Sequence, residues 1–184
     1  MAAATVAANS RSGAGPLIRA LNADDRAALR RLRARSLATD EDSFGRTAAE
    51  ESAMARIGIE DALDRTTPST FALGAFDGDA VMIGMAAAFQ GHAVKLRHCA
   101  WVNAVYVEPD WRGAGTGRAL MLAVLHRLRA AGIGIAKLSV IADPPGARRF
   151  YERLGFIAYG VEPEGLRLGE RSWDLVLMAC DLRR

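Results

Sequence analysis

Cysteine is scarce in this chain of 184 residues: only Cys99 and Cys180 occur, far apart and without a C-x-x-C pair, and the three histidines stand at no metal-ligand spacing. A disulfide framework and a zinc site are thereby excluded as the basis of the fold, and no metal is expected. Two buried free thiols in a reducing compartment are expected instead. Lysine is as rare, with Lys95 and Lys137 alone, so the basic side is arginine, and 24 basic against 21 acidic residues leave a net charge of only +3. No run of five like charges occurs. The tightest basic cluster, Arg30-Arg31-Leu32-Arg33-Ala34-Arg35, has the spacing of a solvated helix face and argues against a nucleic-acid partner. No apolar stretch approaches the roughly 18 residues of a membrane span, so no membrane partner is expected and a cytoplasmic location is.

What is present is ordinary globular composition, 51% hydrophobic and 24% charged, which excludes collagen, coiled coil and bulk disorder. The length suits one core and one domain. Residues 1–15 are alanine- and serine-rich with one arginine and no apolar centre, unlike a secretory signal, and read as a flexible tail ahead of a domain over 16–184.

Pro16 to Arg19 reads as a short strand. Asn22 with Asp25 three residues on opens a helix carrying Ala28, Leu29, Leu32 and Leu37. Thr47 with Glu50 opens a second, with Met54, Ile57 and Leu63 on one face. Thr70–Phe76 and Val81–Phe89 read as a hairpin whose Asp77-Gly78 supplies a positive φ. A strand over Leu96–Val107 follows, then a helix over Thr116–Ala131 stopped by Gly132. Ile135–Ile141 is a strand, Ala147–Leu154 a helix stopped by Gly155, and Phe156–Val161 and Ser172–Cys180 are the closing strands. This order predicts an α/β (α+β) domain with a mixed sheet covered by helices on both faces.

Chemistry concentrates in Val105-Tyr106-Val107-Glu108-Pro109-Asp110-Trp111-Arg112-Gly113-Ala114-Gly115-Thr116-Gly117-Arg118, where a strand turns through a glycine-rich loop straight into an amphipathic helix. Such a loop gathers unpaired backbone N–H groups at the positive end of a helix, which is an anion site. Each charged hydrogen bond is worth roughly 1.5–3 kcal/mol, so three or four can hold a diphosphate without a metal. The dinucleotide fingerprint fails because Arg118 stands where its third glycine should be, and the mononucleotide loop fails for want of G-K-[ST].

Arg112-x-x-Gly115-x-Gly117 after a strand ending V-x-V-x-P does fit a pattern. It resembles the GNAT superfamily of N-acetyltransferases, and the resemblance continues in Leu138-Ser139-Val140 and in Ala147-x-x-x-Tyr151-x-x-x-Gly155-Phe156. It covers about residues 16–182, most strongly 101–156. The resemblance implies a mostly antiparallel sheet of six to seven strands. It implies acetyl-CoA as co-substrate, with the diphosphate on the N–H groups of Arg112, Gly113, Ala114, Gly115, Thr116, Gly117 and Arg118. The pantetheine arm would lie against the backbone of Val105 and Val107, where the fourth strand parts from the fifth; amide groups of the arm can replace missing ladder bonds.

It further implies transfer to a primary amine, of a small molecule or a protein, by direct attack. An N–H of Val105 or Val107 would face the developing oxyanion, and Tyr151 would stand near the leaving sulfur as acid. A lysine-like amine with pKa about 10.4 is neutral about once in 2,500 molecules at pH 7, a cost of about 4.6 kcal/mol, whereas an α-amine near 8 costs about 1.4. Candidates for a base are Glu108, Glu50, Glu51, His92, His98 and Asn103 acting through water. The acceptor is expected between Arg35–Ile59 and Glu162–Ser172, where Asp40, Glu41, Asp42, Glu50 and Glu51 suggest attraction of a cationic amine. Pro144 stands where the family often has asparagine, which removes one cofactor contact and keeps open the alternative of a non-catalytic acetyl-CoA sensor. Homodimers are common in the family, so a second copy is a further expected partner.

Overall fold

The computed structural model describes residues 15–183, so the expected tail lies outside the described residues except for Gly15. Seven strands form one sheet in the order β1-β2-β3-β4-β5-β7-β6. They are β1 (Leu17–Ala20), β2 (Phe71–Phe76), β3 (Met82–Gln90), β4 (Cys99–Val107), β5 (Ile135–Ile141), β6 (Ile157–Leu168) and β7 (Arg171–Asp181). Only β4 and β5 run parallel; every other pairing is antiparallel. The helices are α1 (Arg26–Thr39), α2 (Ala48–Ser52), α3 (Asp61–Asp64), α4 (Thr116–Ala130) and α5 (Gly146–Glu152). None of the described helices is long and apolar enough to cross a membrane.

Alternation along the strands divides the core between the two faces of the sheet. Phe71, Leu73, Ala86 and Ala88 pack with Leu120, Met121, Val124 and Leu128 of α4 on one face. Ala72, Phe76, Met85 and Ala87 pack with Leu29, Leu32, Ala62 and Leu63 of α1 and α3 on the other. Strand β2 is buried at all six positions because both its faces are covered. Cys99 and Cys180 are buried free thiols, as expected.

Local chemistry sets the ends of several elements where the sequence puts them. Asn22 and Asp25 form a reciprocal cap, and Asp25 also takes Arg19 at 2.7 Å, tying β1 to the start of α1. Thr47 and Glu50 form the second such cap. Gly132 and Gly155 leave their helices at φ +77° and +90°, the left-handed stop that glycine supplies without a Cβ clash.

Four expectations need correction. The second helix is not continuous: α2 ends at Ser52, and a 3-10 turn at Gly58–Glu60 leads into α3. The break is held by Glu60, whose carboxylate accepts from the Ile57 N–H at 2.9 Å and from Arg30 at 2.7 Å. The hairpin's left-handed residue is Ala80, φ +58°, not Gly78. Asp77 Oδ1 accepts from the N–H groups of Asp79 and Val81 and shapes a longer turn than Asp-Gly alone would make. Strand β6 runs on to Leu168, because an edge strand tolerates Pro163 where its register shifts between Glu162 and Leu166. The arginine cluster of α1 is only in part a solvated face: Arg31 and Arg35 are exposed, but Arg33 is buried, Arg30 pairs with Glu60, and Arg35 pairs with Glu108.

Glu60 is fully buried, and Arg30 first among its partners holds its carboxyl down to about 2. Its folded pKa lies below the unfolded one, so its stabilisation is complete above about pH 5 and lost as pH falls towards 2. Glu60→Gln should cost about 3 kcal/mol at pH 7 in urea unfolding, because Arg30 and Arg26 lose their buried partner. The difference between the two proteins should narrow at pH 3; a difference equal at both pH values would contradict this.

Candidate active site

The site begins where a pairing stops. β4 and β5 are in register only at Cys99–Ile135, Ala100–Ala136 and Trp101–Lys137. Beyond that β5 continues alongside β7 to Ile141, while β4 stays with β3 through a bulge, where Ala104 and Val105 oppose the single residue Ala86. Ala104 takes φ +54° to make that bulge. The edge of β4 from Asn103 to Val107 therefore faces β5 across a gap, without a strand partner.

The gap leads to the turn before α4. Arg112 donates Nε to the Val107 carbonyl at 2.8 Å and pairs with Asp40, at the end of α1, which fixes the turn against the first helix. Gly113 and Gly115 follow at φ +76° and +89°, and a Cβ at either would meet open space, so the backbone rather than side chains forms the surface. The first ladder bond of α4 runs from the Ala119 N–H to the Gly115 carbonyl. None of the N–H groups from Gly113 to Arg118 is bonded to another backbone group outside that ladder, and helix N-termini leave such donors unpaired. Gly117 serves packing: a Cβ there would stand 3.5 Å from the Phe150 ring and 3.6 Å from Val107.

Gap and loop belong to one cavity of about 1190 Å³. Of the residues expected to bind cofactor, Val105, Val107, Arg112, Gly113, Gly115, Gly117 and Arg118 line it, while Ala114 and Thr116 do not. Thr116 is buried, and its Oγ1 has no hydrogen-bond partner. Arg118 and Arg153 add positive charge to the wall. Pro144 and Asp143 are exposed and do not line the cavity; Gly146, Ala147 and Phe150 of α5 do.

Tyr151 lies on the same wall, 8% exposed, with Phe150 and Phe156 edge-on at 5.0 and 5.7 Å. Its hydroxyl makes no hydrogen bond among the described residues, although buried tyrosines usually find a partner. Burial pushes the phenol above its ordinary range, so it stays protonated. Tyr106 differs: its hydroxyl meets Thr39 Oγ1 at 3.0 Å and Glu108 Oε2 at 3.3 Å.

At the far end the cavity is lined by Arg33, Asp40, Ser43, Phe44, Gly45, Arg46, Glu51 and Ile59 from the first helices, together with Phe89 and Asn103. Of the candidate bases only Glu51 and Asn103 reach it. Glu50 is exposed and caps α2, Glu108 is tied to Arg35, and His92 and His98 lie elsewhere. The expected acidic attraction is reduced: Asp40 pairs with Arg112, Asp42 with Arg171 and Glu51 with Arg33, while Glu41 and Glu50 stand in no ion pair among the described residues. Residues 162–172 line no part of the cavity. They brace its loop from outside through Arg171–Asp42 and through Leu166, which lies against Gly45. The buried Arg33 is the residue that reading the chain as a charged face missed. It falls four positions after Leu29 and four before Leu37, on the buried stripe itself. No group of three or more His, Cys, Asp or Glu among the described residues is placed to hold a metal ion.

A family model described as the acetyltransferase (GNAT) family matches residues 30–156. A mycothiol acetyltransferase of Nocardiopsis dassonvillei is 46% identical over 61 residues, 33% of this chain and 18% of that protein. An uncharacterized N-acetyltransferase of Methanocaldococcus jannaschii is 35% identical over 78 residues, 42% of this chain and 34% of its own length. The chain thus spans about a third or less of these relatives. Among solved structures, a GNAT-family acetyltransferase from Streptococcus pneumoniae superposes with a TM-score of 0.72 at 23% identity, over 89% of this chain and 97% of that one. A phosphinothricin acetyltransferase from Sinorhizobium meliloti in complex with acetyl-CoA superposes with a TM-score of 0.73 at 19% identity, over 91% and 89%. At these identities the likeness is one of fold.

Gly115→Ala should strain the turn by about 1–2 kcal/mol, because a Cβ at φ +89° crowds its own backbone even where the space beyond is open. Thermal unfolding should fall by about 3–6 °C. An unchanged midpoint would mean that the loop relaxes out of the left-handed conformation.

Proposed function

The chain belongs to the acetyltransferase (GNAT) family, and we propose that it transfers an acetyl group from acetyl-CoA to a primary amine by direct attack of the amine on the thioester carbonyl. The observation that carries this reading is one continuous cavity joining an unpaired strand edge, a cluster of unbonded loop N–H groups and a tyrosine hydroxyl without a partner. Each is a polar group that folding has left unmatched, and an elongated diphosphate ligand with amide groups along its length would match all three.

The residues present fit that co-substrate. The N–H groups of Gly113 to Arg118 would take the diphosphate at the positive end of α4, with the Arg118 and Arg153 guanidiniums close by. The open edge of β4 from Asn103 to Val107 would hold the pantetheine amides as an added strand. Bound there, acetyl-CoA supplies an activated acyl group and a thiolate leaving group. An N–H on this edge, that of Val105, stabilises charge developing on the carbonyl oxygen. Tyr151 donates its O–H towards the departing sulfur. A phenol held above its ordinary range is a weaker acid than a thiol with pKa near 8.5. It therefore stabilises the thiolate by hydrogen bonding, and the proton released by the acetylated nitrogen completes the balance. Glu51 is committed to Arg33, so Asn103 is left to hold a water beside the incoming amine, an arrangement that suits amines of modest basicity.

Isothermal calorimetry with acetyl-CoA should give saturable binding, and thiol release in an amine panel should follow turnover. Tyr151→Phe should keep cofactor binding and lower kcat about 100-fold. Thiol release equal to wild type would remove Tyr151 from the chemistry. Binding without release from any amine would favour a sensor, and absence of binding by the folded chain would overturn the proposal.

A further inference from the structure

We infer that the acceptor end of the cavity selects amines that also carry a carboxylate, and that Arg33 and Arg46 are the residues that recognise it; the inference rests on the acetyl-transfer reading above. Arg33 is 8% exposed and lines the cavity. Its Nε and Nη2 donate to Glu51 at 2.7–3.2 Å, but Nη1 has no partner. A guanidinium is always charged, so a buried nitrogen with unmatched N–H groups is a charged donor set for an oxyanion. The ring of Phe44, half-buried on the irregular segment before α2, lies over it with Cζ 4.3 Å from the ring centroid. Access of a carboxylate to Nη1 therefore requires that ring to turn aside.

The charges around it point the same way. Three of the five carboxylates of this end are paired, Asp40 with Arg112, Asp42 with Arg171 and Glu51 with Arg33, and Glu50 accepts from the N–H and hydroxyl of Thr47 and feels the charge of Arg46, which leaves Glu41 outside any ion pair among the described residues. Arg46 makes no ion pair among the described residues, and its Nη1 rests against Met54 Sδ at 3.3 Å. Arg33 Nη1 and Arg46 thus keep donor capacity at an end of the cavity where most acids are paired. Phe44, Phe89 and Ile59 supply apolar wall beside them. The fitting acceptor has an amine directed to the β4 edge, an apolar body and a carboxylate on the guanidinium side.

The test compares apolar α-amino acids with their own primary carboxamides as acceptors, by thiol release at saturating acetyl-CoA. The carboxamide's amine is the less basic of the pair, so intrinsic reactivity favours the amide, and a preference for the acid reports recognition. Wild type should prefer the acid by about tenfold or more in kcat/KM, the order expected of one charge-assisted hydrogen bond. Arg46→Ala, at an exposed position that should not disturb folding, and Arg33→Lys, which keeps the charge beside Glu51 but loses the fork, should each shrink that ratio mainly through KM. Equal or better turnover of the amides in wild type overturns the inference while leaving acetyl transfer standing. A ratio unmoved in both variants overturns the assignment to these arginines. No thiol release from any pair overturns the transfer reading beneath it.

Discussion

The parallel pairing of β4 and β5 ends after three residue pairs, and the position of every candidate functional group follows from that parting. In a sheet a missing neighbour leaves N–H and C=O groups that water or a ligand must satisfy. Here the parting lies inside the sheet, between two strands each secured on its other side. It therefore makes an interior slot instead of an exposed edge. The bulge at Ala104 keeps β4 on β3 while the slot opens, and the chain leaving β4 turns at Gly113 and Gly115 into α4. The slot therefore ends in the unpaired N–H groups of a helix start. α5 closes the third side and brings Tyr151 to the wall.

Ion pairs, not apolar packing alone, define the other end of the cavity. Asp40 joins the end of α1 to the glycine loop through Arg112, and Asp42 joins the segment after α1 to the β6–β7 hairpin through Arg171. Exposed pairs of this kind add little stability. Their larger effect is to pair three of the five acids at this end of the cavity, counting Glu51 with Arg33. Composition suggests an acidic mouth, and pairing offsets most of that charge.

Legibility in the sequence followed range. Signals that act within a few residues were readable: the caps at Asn22 and Thr47, the stops at Gly132 and Gly155, and the bounds of β5, which match Ile135–Ile141. The turn of the glycine loop was readable because its left-handed φ values at Gly113 and Gly115 are local backbone chemistry. The other end of the cavity was not, because its decisive contacts span the chain: 72 residues separate Asp40 from Arg112 and 129 separate Asp42 from Arg171. The same holds for the split of the second helix, which depends on Glu60 reaching back to Arg30 on α1. Arg33 was hidden for a different reason. Its position on the Leu29–Leu37 stripe was visible, but its charge suggested solvent, and only the partner Glu51 makes its burial affordable.

The central claim is that unmatched main-chain groups of the slot and the loop form one ligand surface. Amide hydrogen exchange with and without acetyl-CoA tests it most directly. The account predicts slowed exchange concentrated at residues 103–107 and 113–118, with β1 and the β2–β3 hairpin unaffected. Binding accompanied by protection elsewhere, with these two segments exchanging as fast as before, would contradict it.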